Sequence, residues 1–121
     1  MRKTSDIIWQ DAQHQVLFEI LDLIREPDAD PRVLLRLTDY SDHHFALEER
    51  YMELLDYPDR AAHIESHDRF RAEIKELMRD LDKADPVFMG LVATFLTEWL
   101  TRHVFGVDKE LEAFILGSTA K

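Results

Sequence analysis

Three proline-bearing breaks divide the chain into four long stretches, and in every stretch apolar residues recur at intervals of three and four. The breaks are Glu26-Pro27-Asp28-Ala29-Asp30-Pro31, Tyr57-Pro58-Asp59 and Asp85-Pro86. Leu17, Leu21 and Ile24 mark the first stripe, and Leu34, Leu37, Tyr40, Tyr51 and Leu55 the second. Phe70, Ile74, Leu77 and Leu81 mark the third. The fourth is apolar over more of its circumference, with Phe88, Leu91, Val92, Phe95, Leu96, Trp99 and Leu100. That spacing fits a helix with one buried face and no strand. Asp30 before Pro31, and Asp85 before Pro86, read as N-caps followed by a proline at the first helical position. Four helices on short connections pack as antiparallel neighbours. The expected fold is all-α, an up-down-up-down four-helix bundle with a short C-terminal helix around Lys109–Leu116, forming one domain over residues 1–121.

Composition narrows the function classes. The chain holds no cysteine, which excludes thiolate metal sites, iron–sulfur clusters and cysteine nucleophiles. A formal net charge of -10 disfavours nucleic acid, whose phosphates need basic patches. It disfavours an anionic membrane surface as well. No apolar run approaches a membrane span and the start MRKTSDIIWQ lacks a signal-peptide core, so a soluble cytoplasmic monomer is expected.

The informative residues interrupt the apolar stripes. His14 lies on the face of Leu17 and Leu21; His44 and Glu48 fall on the stripe between Tyr40 and Tyr51. His63 and His67 precede Phe70 and Ile74, and His103 follows Trp99 and Leu100. A lone inward histidine is usually a hydrogen-bonded core residue. Five imidazoles and a carboxylate buried without partners are another matter, because each would cost several kcal/mol, roughly. One metal cluster satisfies them together. His44 and Glu48, like His63 and His67, stand one helical turn apart, so their side chains converge. His43 points about 100° away from His44 and has no acidic partner a turn later, so it is expected to be exposed. Imidazoles with carboxylates suit iron, copper, zinc or nickel. Five histidines and two acids exceed what one ion can use, and a bridging carboxylate implies two ions.

With these residues placed, the chain resembles a hemerythrin, specifically a bacterial hemerythrin domain. The likeness rests on His14 in DAQHQVLFEI, HFALEE (His44, Glu48), HIESHDRF (His63, His67) and WLTRHVFGVD (His103, Asp108). It runs from about Asp11 to Leu116, and all seven ligand positions are filled at the family's spacing. The arm ahead of the first ligand is short, with Trp9 only five residues before His14.

The resemblance implies two non-haem iron ions with an oxo or hydroxo bridge. One iron takes His63, His67 and His103, the other His14 and His44, and Glu48 and Asp108 bridge them. The second iron is then one donor short, and dioxygen can bind end-on there and leave again. Leu17, Trp99, Leu100 and Val104 are expected to wall that position and keep it dry. The implied activity is reversible dioxygen binding for storage, delivery or sensing, with a downstream protein partner if it is a sensor. The rival is a diiron oxidase, peroxidase or ferroxidase, but such bundles use four carboxylates with paired Glu-x-x-His motifs. Only two inward acids are present here, so no enzyme activity is expected.

One spacing does not fit a regular helix. His103 and Asp108 are five residues apart, about 500° of rotation and roughly 140° from alignment. The fourth helix should therefore widen or break between them, with Gly106 the expected place.

Overall fold

Asp85 starts the fourth helix as its spacing predicts: the carboxylate accepts a hydrogen bond from the Phe88 N–H at 2.8 Å, with Pro86 beginning the helix. The computed structural model describes residues 3–26, 30, 32–79 and 85–118. Helix α1 runs Ile8–Ile24, α2 Val33–Leu54, α3 Arg60–Met78, α4 Pro86–Arg102 and α5 Asp108–Leu116. Helix α1 packs against α2 and α4, and α2 packs against α3, which makes an up-down-up-down bundle with a short C-terminal helix. Among the described residues no helix is long and apolar enough to cross a membrane.

The second helix begins later than expected. Its N-cap is Arg32, not Asp30. The Asp30 carboxylate instead accepts from the backbone N–H and guanidinium of Arg32, and its carbonyl accepts from Val33 N–H. The bond from the Arg32 N–H is a capping bond, so Asp30 caps the turn that leads into the helix, and the regular α-helix starts at Val33. Pro31 and Leu81 lie outside the described residues, as do Pro27–Ala29 of the first break. Helix α2 ends with Asp56 in the left-handed region, at φ 56°. Tyr57 N–H reaches back to Met52 O at 2.9 Å and Asp56 N–H to Glu53 O at 3.3 Å, closing the helix end as a Schellman turn.

Between α4 and α5 the backbone widens into a π-helical turn over His103–Val107. Asp108 N–H bonds to His103 O, five residues back. That bond brings a five-residue spacing into register, which a regular α-helix cannot do. The expected distortion is present, though Gly106 itself is unremarkable. Its φ is not positive, and a Cβ built there would meet nothing within 4 Å. The widening is spread over the whole turn.

Two apolar groups of unequal size bracket a polar layer. The larger includes Leu17, Ile20, Leu21 and Ile24 of α1, Leu34 and Leu37 of α2, Phe70 and Ile74 of α3, and Val92, Leu96 and Leu100 of α4. The smaller gathers Ile7, Met52, Tyr57, Leu111 and Ile115 at the other end. Helices α1, α2 and α3 reach both groups, the π turn joins α4 in the larger to α5 in the smaller, and the polar residues sit at the crossing. The wide apolar girth of α4 is only partly used: Val92 and Leu96 are buried, whereas Leu91 is 67% exposed and Val87 is exposed beside it.

Candidate metal centre

His14, His44, Glu48, His63, His67, His103 and Asp108 are all buried and meet in that layer. His14 comes from α1, His44 and Glu48 from α2, and His63 and His67 from α3. His103 and Asp108 come from the two ends of the π turn. His43 points to solvent. The donor atoms fall into two overlapping groups, each with all its members within 4.8 Å of one another. One holds His63, His67 and His103 with Glu48 and Asp108; the other holds His14 and His44 with the same two carboxylates. The carboxylates are thus shared, and the histidines divide three to two.

Distances across the nest are short. Asp108 Oδ1 lies 3.0 Å from both His63 Nε2 and His103 Nε2, while Oδ2 lies 2.9 Å from His14 Nε2. Glu48 Oε1 lies 3.2 Å from His67 Nε2 and 3.5 Å from His63 Nε2, and Oε2 lies 3.5 Å from His44 Nε2. His67 Nε2 and His103 Nε2 face each other at 3.1 Å.

Behind the rings is an outer layer that decides where their protons sit. Glu49 Oε2 can only accept, so at 2.8 Å from His67 Nδ1 it requires an N–H there. Thr4 gives its single hydroxyl proton to Asp11 Oδ1 at 2.8 Å, so its oxygen accepts from His14 Nδ1 at 2.9 Å. Gln13 Oε1 accepts from His44 Nδ1 at 2.6 Å. Ser66 Oγ meets His103 Nδ1 at 3.0 Å. Gln10 donates to Glu48 Oε2 at 2.8 Å and is held by Ser5 Oγ at 2.6 Å. With their Nδ1–H groups turned outward, these rings aim Nε2 lone pairs at carboxylate oxygens and at each other. Lone pairs at such distances repel unless protons or cations lie between them.

The chemistry of the donor set therefore fits a cation pair. Among the described residues, His44 Nε2, His63 Nε2, Glu48 Oε1 and Asp108 Oδ1 are buried, face the nest and have no hydrogen-bond partner. Several stand at ion-pair distance without hydrogen-bond alignment. Buried polar atoms in that state need an ion or a proton.

Without metal, protonation carries the burden. Burial pushes the His63 imidazole down, but the carboxylates of Asp108 and Glu48 outweigh it and raise it to about 9. Burial and Asp108 push Glu48 up, yet His44, His63 and His67 hold it at about 2. Burial also pushes Asp108 up, but His103, His14 and His63 hold it well below the usual carboxylate range. His44 is the exception: burial prevails over its neighbours' negative charge and drives it down to about 4.

Leu17, Leu100 and Val104 are buried in the larger apolar group, one turn from His14, one turn before His103 and beside His103 respectively. Trp99 is half-buried and stacks on the His103 ring, centroids 4.7 Å apart and 12° from parallel. Phe45, unmarked in the sequence reading, stacks on His67 at 3.9 Å and 13°. Thr4, Gln10, Gln13, Glu49 and Ser66 were likewise missed. Gln10, Gln13 and Ser66 carry a periodic signal, standing one turn before His14, Leu17 and Phe70, whereas Thr4 and Glu49 carry none. The segment ahead of α1 closes over the nest, with Thr4, Ser5 and Ile7 buried and the Asp6 N–H bonded to Glu112 Oε2 at 2.9 Å.

A helical bundle with a shared-carboxylate, five-histidine nest defines a class of metal-binding four-helix proteins. The match to the hemerythrin HHE cation binding domain, over residues 6–115, is to that class, and the chain belongs to the hemerythrin family. It is 34% identical over 98 residues to the myohemerythrin of Riftia pachyptila, covering 81% of this chain and 76% of that one. It is similar to the bacteriohemerythrins of Methylococcus capsulatus, at 26% identity over 87% of this chain and 85% of the relative, and of Stenotrophomonas maltophilia, at 29% over 85% and 77%.

Proposed function

We propose that this chain binds dioxygen reversibly at two non-haem irons joined by an oxo or hydroxo bridge, as a carrier, store or sensor of oxygen. Hemerythrins are oxygen binders and not enzymes. The observation that carries the reading is the division of the nest: two carboxylates shared by three histidines on one side and two on the other. The irons, when bound, supply reversible electron transfer to dioxygen. His63, His67 and His103 would hold one, His14 and His44 the other, and Glu48 and Asp108 both.

The chain's own contribution is orientation and dryness. Outward Nδ1–H bonds fix the rings of His14, His44 and His67 so that Nε2 faces inward. Leu17, Leu100 and Val104 would wall the two-histidine side with carbon, leaving water no hydrogen-bonding partner there; Trp99, expected on the same wall, stacks instead on His103 of the three-histidine side. No acidic hydrogen is offered by those side chains, so oxygen can leave as oxygen.

Anaerobic iron-loaded protein titrated with oxygen should develop a charge-transfer absorption band that vanishes on degassing, at two irons per chain. A single ion per chain, or a band that never reverses, would overturn the reading. Leu17→Asn or Leu100→Asn should leave iron content near two while oxidation to the inactive diferric form speeds up several-fold. Unchanged oxidation rates at equal iron content would show that the protecting residues lie elsewhere.

A further inference from the structure

His67 is the one ring of the nest backed by a carboxylate outside it. Glu49 Oε2 meets Nδ1 at 2.8 Å, and Arg71 Nη1 meets the same oxygen at 3.0 Å. Arg71 is itself fixed, bonding Asp42 at 3.1 Å and Asp68 at 2.9 Å. Its guanidinium lies 5.3 Å from the Phe45 ring centroid, and Phe45 stacks on His67. One cation thus restrains both the group behind His67 and the ring beneath it. The other side of the nest has no such arrangement: His44 and His14 are backed by a neutral amide and a hydroxyl.

We propose that Glu49, held by Arg71, is a positioning residue that fixes His67 as the Nδ1–H form, with Nε2 free for metal. By this device the three-histidine side takes the first ion. The proposal rests on the metal reading above. A carboxylate behind a metal-binding imidazole fixes its tautomer and raises its donor strength, and loss of such a partner weakens binding about 10–100-fold. A neutral amide acceptor fixes the tautomer with less gain in donor strength, because a charge-assisted hydrogen bond is roughly twice as strong as a neutral one.

Cobalt(II) titration of the metal-free protein, against a competing chelator, reads the two ions separately. The parent should fill in two resolved steps. Glu49→Ala should weaken the first about 10–100-fold, merging it with an unchanged second step. Glu49→Gln, which keeps an acceptor oxygen, should recover part of the loss. In the cobalt-loaded protein the paramagnetically shifted ring N–H signal of His67 should exchange with water faster in Glu49→Ala than in the parent, and slow again in Glu49→Gln. An unchanged first step and unchanged N–H exchange in Glu49→Ala would overturn the proposal and leave the metal reading standing. A parent that takes up no cobalt would overturn both.

Discussion

The two halves of the nest are built from the same ligand type but supported differently. The three-histidine side is backed from within the helices, through Glu49 and Arg71 to His67 and through Ser66 to His103. The two-histidine side is backed partly from α1, through Gln13 to His44, and partly by the segment ahead of it, through Thr4 to His14, while Ser5 and Gln10 hold the shared Glu48. Support within a helix is as rigid as the helix. Support from a segment outside a helix depends on its own packing, here on the burial of Thr4, Ser5 and Ile7. The halves also differ electrostatically when empty, with His63 raised to about 9 and His44 lowered to about 4.

Removing a shared group should break the comparison outright. Asp108 approaches His14, His63 and His103, so Asp108→Ala takes a donor from both halves. Metal analysis should find iron falling from two per chain toward none. His14→Ala should instead leave one ion, on the three-histidine side. If both variants keep the same content, the halves do not fill independently.

The pH dependence of the metal-free protein separates the halves more gently. His63, raised above its unfolded value, stabilises the fold below about pH 6.5 and loses that contribution as pH rises toward about 9. His44, lowered to about 4, must stay neutral in the fold while the unfolded chain takes up a proton, so stability falls as pH drops from about 6.5 toward 4. Thermal melts should therefore be highest near neutrality. Metal should abolish the alkaline decline, because a ligated His63 is already neutral, and sharpen the acid one, because protons compete for the ligands. A metal-free melting temperature that climbs steadily to pH 9 would contradict the raised His63.

The smallest effect concerns the backbone that joins the halves. Gly106 lies in the π turn that carries Asp108 inward, yet it has an ordinary φ and open space where a Cβ would go. Gly106→Ala should stabilise the chain by roughly 0.5–1 kcal/mol through the unfolded state and leave metal content unchanged in both halves. Denaturant melts and metal analysis check both parts. Loss of metal would mean that the wide turn needs glycine after all.

Much of this molecule is written in residue spacing. The stripes named Leu17, Leu37, Ile74 and Leu96 as core, and the interruptions named the histidines and Glu48 that meet between the apolar groups. The five-residue gap from His103 to Asp108 required a wide turn, because a helix has a fixed rotation per residue. Spacing serves there because burial is non-directional and proportional to apolar area, so a periodic pattern suffices to select a face. Tertiary structure decided the rest. Leu91 and Val92 are both apolar neighbours on α4, and only the packing of α1 settles that one is exposed and the other buried. Asp30 caps the turn ahead of α2, whereas the regular helix starts only at Val33. Thr4 and Glu49 sit off the stripes, where polar residues are ordinarily solvated, and Gln13 and Ser66 are polar residues whose spacing alone names no partner. Their role depends on a donor and an acceptor coming within about 3 Å at the right angle. No one-dimensional pattern encodes such a meeting between residues on different elements.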